Sequence, residues 1–455
     1  MNEEVVINKG YLDDLGTADL IAMPIYLIVI IFIARIIKAN TISKKPYYKY
    51  FTLGLYAKII GSISFCLIFT YYYKGGDTIS YYESARAMSN LLNENPGDFL
   101  KMFFSGTSSQ NLNYFSLKTG YPWGYIFFEP HTNFLIKLFT PILFISFNSY
   151  VLSSILIAVI SYTGIWKMYM LLVEFYPKYE KEIAIGFLFV PTVIFWGSGM
   201  LKDTVTLSAV CWMIVSIDKV FIRRRKFLKN SFALILSSIV LINIKPYILM
   251  NALPGLFIWI FYQRIQKFRN AFLRYATIPF IILLSVAGGF YILSALGNSL
   301  GKFSLDKIME TAVVSQEDLK RDYYKGSSFD IGKIEPTISG FISKSPEATI
   351  AGLFRPFIWE AKKVVIFLSG IENFIVLMIT LIIIFRLRLF GLLKLLFNNP
   401  LLLFLITYSV LFAFSIGIST SNYGALIRFK IAFAPFYIAT LFILLKMSKD
   451  LKRIQ

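Results

Sequence analysis

The sequence predicts an all-α, polytopic integral membrane protein with about eleven transmembrane helices. Of its 455 residues, 56% are hydrophobic and only 16% are charged, whereas soluble proteins average about 25% charged residues. Many stretches reach the ~20 apolar residues that a helix needs to span a bilayer. Clusters of Lys and Arg occur in alternate connections, as the positive-inside rule requires. These observations assign the chain to the membrane class.

The N-terminal part contains two predicted spans, at about residues 20–37 and 51–73. The lysine-rich connection 38–49 between them indicates a cytoplasmic position. The segment before the first span is acidic and lacks the basic start of a secretory signal, so we expect a retained span. The N-terminus is therefore predicted to lie outside.

Two polar segments, residues 74–148 and 297–364, are the predicted external loops. In the first loop, residues 81–104 form an amphipathic stretch and residues 121–147 an aromatic-rich one. We expect both stretches to be helices that lie along the membrane interface. The second loop is long enough for a few interfacial helices.

Nine further spans are predicted after the first loop, and the C-terminus is expected in the cytoplasm. The strongest cytoplasmic marker is the basic run at residues 223–226. The chain 1–455 is predicted to be a single multi-span domain in a cytoplasmic membrane, the bacterial inner membrane. The nine spans cover about 149–173, 183–197, a stretch after Asp203, 232–244, 248–262, 278–296, 366–385, 401–418 and 432–445.

Composition also excludes several classes of function. The net charge of +20 would suggest a nucleic-acid partner in a soluble protein, but here the positive-inside rule explains most of the excess. Cys66 and Cys211 lie in apolar runs and are interpreted as packing residues. The single histidine, His131, excludes a His-rich metal site. We therefore predict no metal, no cofactor and no nucleic-acid partner.

The turn Gly75-Gly76-Asp77 at the start of the first loop is the best candidate for catalysis. Two glycines permit a tight turn, and a carboxylate held there is suited to taking a proton from a hydroxyl group. The alternative is that Asp77 caps the following helix. Glu83, further along that helix, is expected to be solvated. His131 is expected to be a hydrogen-bonded residue in a supporting role.

Several cations are predicted on the same outer side of the membrane. Lys202 either pairs locally with Asp203 or faces an anion while Asp203 orients it. Lys245, in a hairpin with Pro246, either extends to the interface or contacts a phosphate.

The last two cationic motifs stand near the ends of later spans. Arg355 is followed by interfacial aromatic residues and Glu360, and its guanidinium suits bidentate phosphate binding. Asn422 precedes Arg428 and Lys430, two cations on the outer side that oppose the topology rule and therefore need a compensating reason. Cations that hold a phosphate and a carboxylate that activates a nucleophile would suit an anionic, lipid-linked substrate.

With these motifs, the chain resembles the GT-C class of polytopic glycosyltransferases, which use polyprenyl-phosphate sugars. The shared features are the many spans, a Gly-Asp motif that opens a long first external loop, and a later second loop. The resemblance implies that Asp77 is the general base and that Arg355, Arg428 and Lys430 bind the donor phosphate, with Lys245 and Lys202 as further candidates. This chain differs in its extra N-terminal span and in having no acidic doublet at Asp77.

Three other readings of the sequence stay open. The chain is similar in outline to O-antigen polymerases and ligases, which use outer-face arginines on polyprenyl-pyrophosphate substrates. A transporter of a lipid-linked glycan would instead place charges along a path through the bilayer, often beside broken helices. A noncatalytic membrane subunit is a third possibility, in which the named charges would matter little.

Overall fold

The computed structural model describes residues 17–265, 305–321 and 327–454, together with residues 277, 280, 283 and 284. Over these residues the regular structure is helical. The β-type pairing among them is limited to an isolated antiparallel bridge between Ser328 and Asn422. The predicted all-α class is confirmed. The N-terminal acidic segment and almost all of the predicted span 278–296 lie outside the described residues.

The α-helices are numbered in chain order. The first ten are α1 (Thr17–Ile42), α2 (Lys49–Leu67), α3 (Asp77–Glu94), α4 (Pro96–Phe104), α5 (Gly124–Phe127), α6 (Pro130–Ile145), α7 (Tyr150–Phe175), α8 (Glu180–Leu188), α9 (Pro191–Trp196) and α10 (Lys202–Ile217). The others are α11 (Phe227–Ile244), α12 (Pro246–Ile265), α13 (Leu305–Asp318), α14 (Ile338–Ser343), α15 (Ser345–Phe354), α16 (Val364–Phe397), α17 (Pro400–Ser419), α18 (Tyr423–Phe429) and α19 (Ala434–Ile454).

Seven helical segments among the described residues are long and apolar enough to cross a membrane. The number is eight if the pair Tyr423–Ala432 and Ala434–Asp450, which is bent by 67°, forms one span. The chain is therefore a multi-pass membrane protein, and its described residues contain fewer such spans than the eleven predicted for the whole chain. The seven are Ile21–Ile42, Pro46–Tyr73, Tyr150–Phe175, Lys202–Ile222, Phe227–Ile244, Val364–Phe397 and Pro400–Ser419.

Prolines explain part of the difference in the number of spans. The predicted span 183–197 is divided, because α8 ends at Leu188 and α9 begins at Pro191. Proline lacks an N–H group and is accommodated in the first turn of a helix, where that group has no partner. The predicted span 248–262 belongs to α12, whose apolar part, Pro246–Tyr262, is shorter than a full crossing.

The chain contacts divide the protein into two compact units. The first unit comprises Met1–Ile160 and Ser198–Thr204, and the second comprises Ser161–Gly197 and Val205–Gln455. The prediction of a single domain over 1–455 stays a prediction.

In the first unit, the predicted first external loop is built from helices. α3 packs against α6 and α4 and buries Ala85, Met88 and Leu91, whose spacing places them on one helix face. The predicted stretch 81–104 is interrupted, because the side chain of Asn95 accepts a hydrogen bond from Asp98 N at 3.2 Å and caps α4. The loop therefore has its own apolar core.

In the second unit, α17 is the central helix and packs against α12, α15 and α19. α15 and α17 approach closely because each helix has a glycine that faces the backbone of the other helix. A Cβ atom at Gly352 would collide with the carbonyl of Ala413, and one at Gly417 would collide with the carbonyl of Ala348. Small residues of this kind are typical of close helix packing in membranes.

We predict that Gly352→Ala destabilises the protein by about 1–3 kcal/mol, the usual cost of overpacking, because its Cβ would meet the backbone of α17. Gly391→Ala in α16 is the matched control, since its nearest neighbour would be Leu387 Cβ at 3.9 Å. Thermal unfolding of the detergent-solubilised protein measures both. Equal melting temperatures for the two variants would contradict the close packing of α15 on α17.

Candidate functional site

Asp77 lies at the exposed start of α3 in the first unit. The preceding glycines have φ angles of 149° at Gly75 and 104° at Gly76, a region that glycine reaches at little cost. Gly76 is the N-cap residue, without a side-chain capping bond, and Asp77 is the first residue of the helix. The glycine turn thus sets the carboxylate at a helix start, and Asp77 is not the N-cap residue.

Glu83 faces an aromatic residue from the other end of the first loop. Its Oε2 atom accepts a hydrogen bond from Trp123 Nε1 at 2.5 Å, so the prediction that Glu83 is simply solvated was wrong. Burial raises the pKa of the Glu83 carboxyl, against the lowering effects of the Trp123 hydrogen bond and the nearby Arg86. A carboxyl group with a perturbed pKa beside an exposed carboxylate is a common feature of functional sites.

Tyr125 completes this group of side chains. Its hydroxyl hydrogen-bonds Ser80, and burial and the nearby charges of Asp77 and Glu83 raise the pKa of its phenol. We call Asp77, Ser80, Glu83, Trp123 and Tyr125 the carboxylate–aromatic cluster. Trp123 and Tyr125 are 37% and 64% exposed, with ring centroids 6.1 Å apart. The cluster thus presents carboxylates and aromatic rings together at the surface of the first unit.

Lys202 binds to the start of α6 in the same unit. Its Nζ atom donates to Thr132 Oγ1 at 2.6 Å and lies 3.4 Å from Glu129 Oε2. Glu129 is the N-cap residue of α6 and accepts from the backbone N–H of Thr132. The sequence analysis missed this role for Glu129, although an acidic residue before a proline is a known sign of a helix start.

Asp203 and His131 are buried in the first unit. Asp203 is only 2% exposed, in the first turn of α10, and His131 is 6% exposed, in the first turn of α6. Lys202 thus has partners across two helices, Glu129 and Thr132.

Arg355 in the second unit is paired with an acidic residue of its own segment. Its Nε atom lies 3.3 Å from Glu360 Oε1, and its guanidinium lies 5.1 Å from the ring centroid of Phe329. Glu360 also accepts a hydrogen bond from Phe357 N at 2.8 Å. A phosphate at Arg355 would therefore compete with the Glu360 carboxylate for the guanidinium.

Asn422, Arg428 and Lys245 lie around α18 in the second unit. Asn422 caps α18 and accepts from the backbone N–H groups of the next turn, so its contacts are those of a structural residue. Arg428 is half-buried on α18. Lys245 is buried, and its ammonium lies 4.9 Å from the ring centroid of Phe429. This position is a cation–π contact inside the protein and not an extension to the interface.

Lys430 is as enclosed as Lys245, with 6% exposure. Its Nζ atom donates to Leu353 O at 3.0 Å, to Arg355 O at 2.5 Å and to Asn373 Oδ1 at 3.2 Å. An ammonium group has three N–H donors, and all three are used here. Lys430 thus holds the backbone beside Arg355, and a direct phosphate contact would require it to release one of these bonds.

Glu372 was missed by the sequence analysis. It lies within the apolar helix α16, and its carboxylate accepts from Thr192 Oγ1 at 2.5 Å and from Thr192 N at 3.1 Å. Glu372 and Lys430 line the same small pocket of the second unit. An acidic residue inside a predicted span is itself a signal of function, and this signal was available in the sequence.

The predicted site residues fall into the two units as follows. Asp77, His131, Lys202 and Asp203 belong to the first unit, and Lys245, Arg355, Glu360, Asn422, Arg428 and Lys430 belong to the second. Within the second unit, Arg355 contacts both Glu360 and Lys430. The convergence of all the predicted cations with Asp77 on one cavity stays a prediction.

Comparisons of the chain with protein-family models, with curated proteins and with solved structures gave no match. The long apolar helices alone place the protein in the class of multi-pass membrane proteins.

We predict a pH dependence of stability that originates at Glu83. Because burial raises its pKa in the folded state, the folded protein binds this proton more tightly than the unfolded chain. The contribution of Glu83 to the free energy of unfolding is therefore complete below the pKa that Glu83 has in the unfolded chain. It is lost as the pH rises through the pKa that Glu83 has in the folded protein. Glu83→Gln keeps an acceptor for Trp123 but cannot ionise, so its melting temperature should fall less than that of the wild type over this range.

Glu94→Gln is the control for that measurement, because Glu94 ends the same helix and pairs with the exposed Lys118 at 2.9 Å. Thermal unfolding in detergent across mildly acidic to neutral buffers compares the three proteins. Parallel curves for Glu83→Gln and the wild type would rule out Glu83 as the titrating group.

Proposed function

We propose that the protein is a glycosyltransferase of the GT-C type that transfers a sugar from a polyprenyl-phosphate donor to an acceptor at the outer face of the cytoplasmic membrane. The observation that carries this proposal is the carboxylate–aromatic cluster of the first external loop. It combines an exposed carboxylate at a glycine turn, a second carboxyl with a raised pKa, and two exposed aromatic rings.

In the proposed reaction, Asp77 is the general base. Its carboxylate takes the proton of the acceptor hydroxyl, and the freed oxygen attacks the anomeric carbon of the donor sugar. The bond between that carbon and the phosphate oxygen breaks, and the lipid phosphate leaves with the bonding electrons. Attack from the side opposite the phosphate inverts the configuration at the anomeric carbon. Glu83 is the second carboxyl within the same cluster.

The exposed rings of Trp123 and Tyr125 support a sugar as the substrate. A pyranose ring has an apolar face of C–H groups that packs on an aromatic ring, while its hydroxyls bond to carboxylates. Aromatic residues are also enriched at membrane interfaces without any role in binding a substrate. The hydrogen bond from Trp123 to Glu83 favours the substrate role, because it fixes this ring beside the carboxylates.

For the departing phosphate, this proposal takes the cations that the resemblance implies, principally Arg428 and Arg355. Arg355 would exchange Glu360 for the phosphate, and Lys430 would support the Arg355 backbone through its hydrogen bond to the carbonyl. Lys245 and Lys202, each engaged with protein groups, would have secondary roles. An arginine-centred polymerase or ligase of O-antigen type is the nearest enzymatic alternative.

A second candidate function, transport of a lipid-linked glycan, is favoured by one observation. Helices α8 and α9 are separated by a break before Pro191, and α18 and α19 are bent by 67°. Glu372 and Lys430 lie in the unit that contains both breaks. Buried charges beside discontinuous helices are characteristic of transporters.

We predict that the N-terminus lies outside and the C-terminus in the cytoplasm. A reporter fused after Arg225 should then be cytoplasmic, because it follows the basic run, and one fused after Lys333 should be external. Paired alkaline phosphatase and fluorescent-protein fusions at both positions measure this. Two fusions on the same side would refute the topology and remove the outer-face reaction with it.

We predict that Asp77→Asn lowers sugar transfer by about 100-fold to 10,000-fold, the usual effect of removing a general base. Asparagine keeps the shape of the side chain but removes its basicity. The measurement is transfer of a radiolabelled sugar from polyprenyl-phosphate donors in membranes, at equal protein levels. Asp98→Asn is the matched control, since Asp98 lies in the same loop and pairs with the exposed Lys101 at 3.0 Å.

The second set of variants separates the alternatives. Arg428→Ala should also lose transfer, because it removes a contact to the phosphate. Wild-type transfer by Asp77→Asn together with loss in Arg428→Ala would reject Asp77 as the base and favour the polymerase-like alternative. Wild-type transfer in both variants would reject the phosphate role of Arg428 as well as the base.

A further inference from the structure

A small pocket inside the second unit contains an acid, Glu372, that the proposed reaction does not use, and a base, Lys430, to which that reaction gives only a supporting role. Glu372, Asn373 and Ser369 reach it from α16, Thr192 from α9, and Lys430 from the segment before the bend into α19. The pocket has room for about one water molecule. Glu372 is the ninth residue of α16, which places it about 12 Å along that helix from its start, at 1.5 Å per residue.

Both charged groups are held by neutral partners. Lys430 donates to Leu353 O, Arg355 O and Asn373 Oδ1, and Glu372 accepts two bonds from Thr192. Each group therefore keeps its position through bonds that do not depend on the other charge. The carboxylate and the ammonium both line the pocket, so a water held in it would face both groups.

The charge balance of this pair restricts its chemistry. Loss of one charge alone would leave an uncompensated ion inside the protein, which is strongly unfavourable. Transfer of a proton from Lys430 to Glu372 removes both charges together and leaves the net charge of the pocket unchanged. We propose that Glu372 and Lys430 are a proton-exchange site in the membrane-embedded second unit, with the proton as its ligand and a pocket water as its carrier.

The proton transfer from Lys430 to Glu372 conserves atoms and charge. One Nζ–H bond of Lys430 breaks and its proton goes to the water, which gives one of its own protons to a Glu372 oxygen. An ammonium and a carboxylate become an amine and a carboxylic acid. The neutral amine has two N–H donors, so one of Leu353 O, Arg355 O and Asn373 Oδ1 loses its bond. Proton exchange is thereby linked to the backbone at Arg355.

Other titratable groups near the pair are few among the described residues. Tyr437 of α19 lines the pocket, and Glu360 acts on Lys430 electrostatically from the segment after Arg355. Glu360 is itself paired with Arg355. The side chains that α9 and α15 contribute, Thr192 and Leu353, are neutral. The pair is thus the main acid and base of this pocket.

Infrared difference spectroscopy of the full chain in lipid nanodiscs tests this proposal through the C=O stretch of a protonated carboxyl. At neutral pH the wild type should show a partial band, because part of the population carries the proton on Glu372. Glu372→Gln should lose the band completely. Lys430→Met should increase it, because Glu372 without its partner stays protonated. Glu347→Gln, at an exposed glutamate of α15, should leave it unchanged.

A wild-type spectrum without this band, from mildly acidic to mildly alkaline buffer, would overturn the proposal and leave a fixed ion pair. If Lys430→Met does not fold, Thr192→Val keeps both charges and removes one hydrogen bond to Glu372. The band should then shift to higher frequency, and an unshifted band would assign it to another residue and reject the site. The proposal does not depend on the proposed sugar transfer, because the infrared band reports the protonation of Glu372 and is read without any transfer activity.

Discussion

The interior of a lipid bilayer supplies no hydrogen bonds, and the described structure depends on this constraint. Each backbone N–H and C=O group of a span must bond inside the protein, which helices achieve by themselves. Where a helix is interrupted, some of these groups are released and require other partners. In the second unit, the interruptions before Pro191 and after Ala432 are accompanied by Thr192 and Lys430, whose polar groups bond to neighbouring segments.

The same constraint determines the electrostatics of the second unit. Lys430 is surrounded by oxygen atoms, Arg355 by Glu360 and an aromatic ring, and Lys245 by Phe429. The cost of placing a charge near lipid is reduced by these contacts. A ligand that binds to Lys430 must replace a partner already present, and one that binds to Arg355 competes with Glu360. Such exchange favours ligands with more charge or better geometry than the residue they displace, and a phosphate meets this requirement at an arginine.

The candidate site of the first unit lies outside the predicted spans, on helices that are not among the candidate membrane-crossing helices. α3 and α6 bury an apolar core of their own, so the loop is able to hold exposed groups in fixed positions. The glycine turn directs Asp77, and the indole of Trp123 is fixed by Glu83. The general base proposed at Asp77 requires such a defined position.

The sequence by itself determined the class of this protein and most of its helices, because apolar length and charge asymmetry are local properties of the chain. It also singled out Asp77, Arg355 and Lys430 through unusual residue types beside apolar runs. Only the tertiary structure decided that Asn373 binds Lys430 and that Thr132 binds Lys202, since these partners are neighbours in space and ordinary residues in the sequence. It likewise decided the number of spans, because a break such as the one between Leu188 and Pro191 is stabilised by contacts with distant segments, and hydropathy does not encode those contacts.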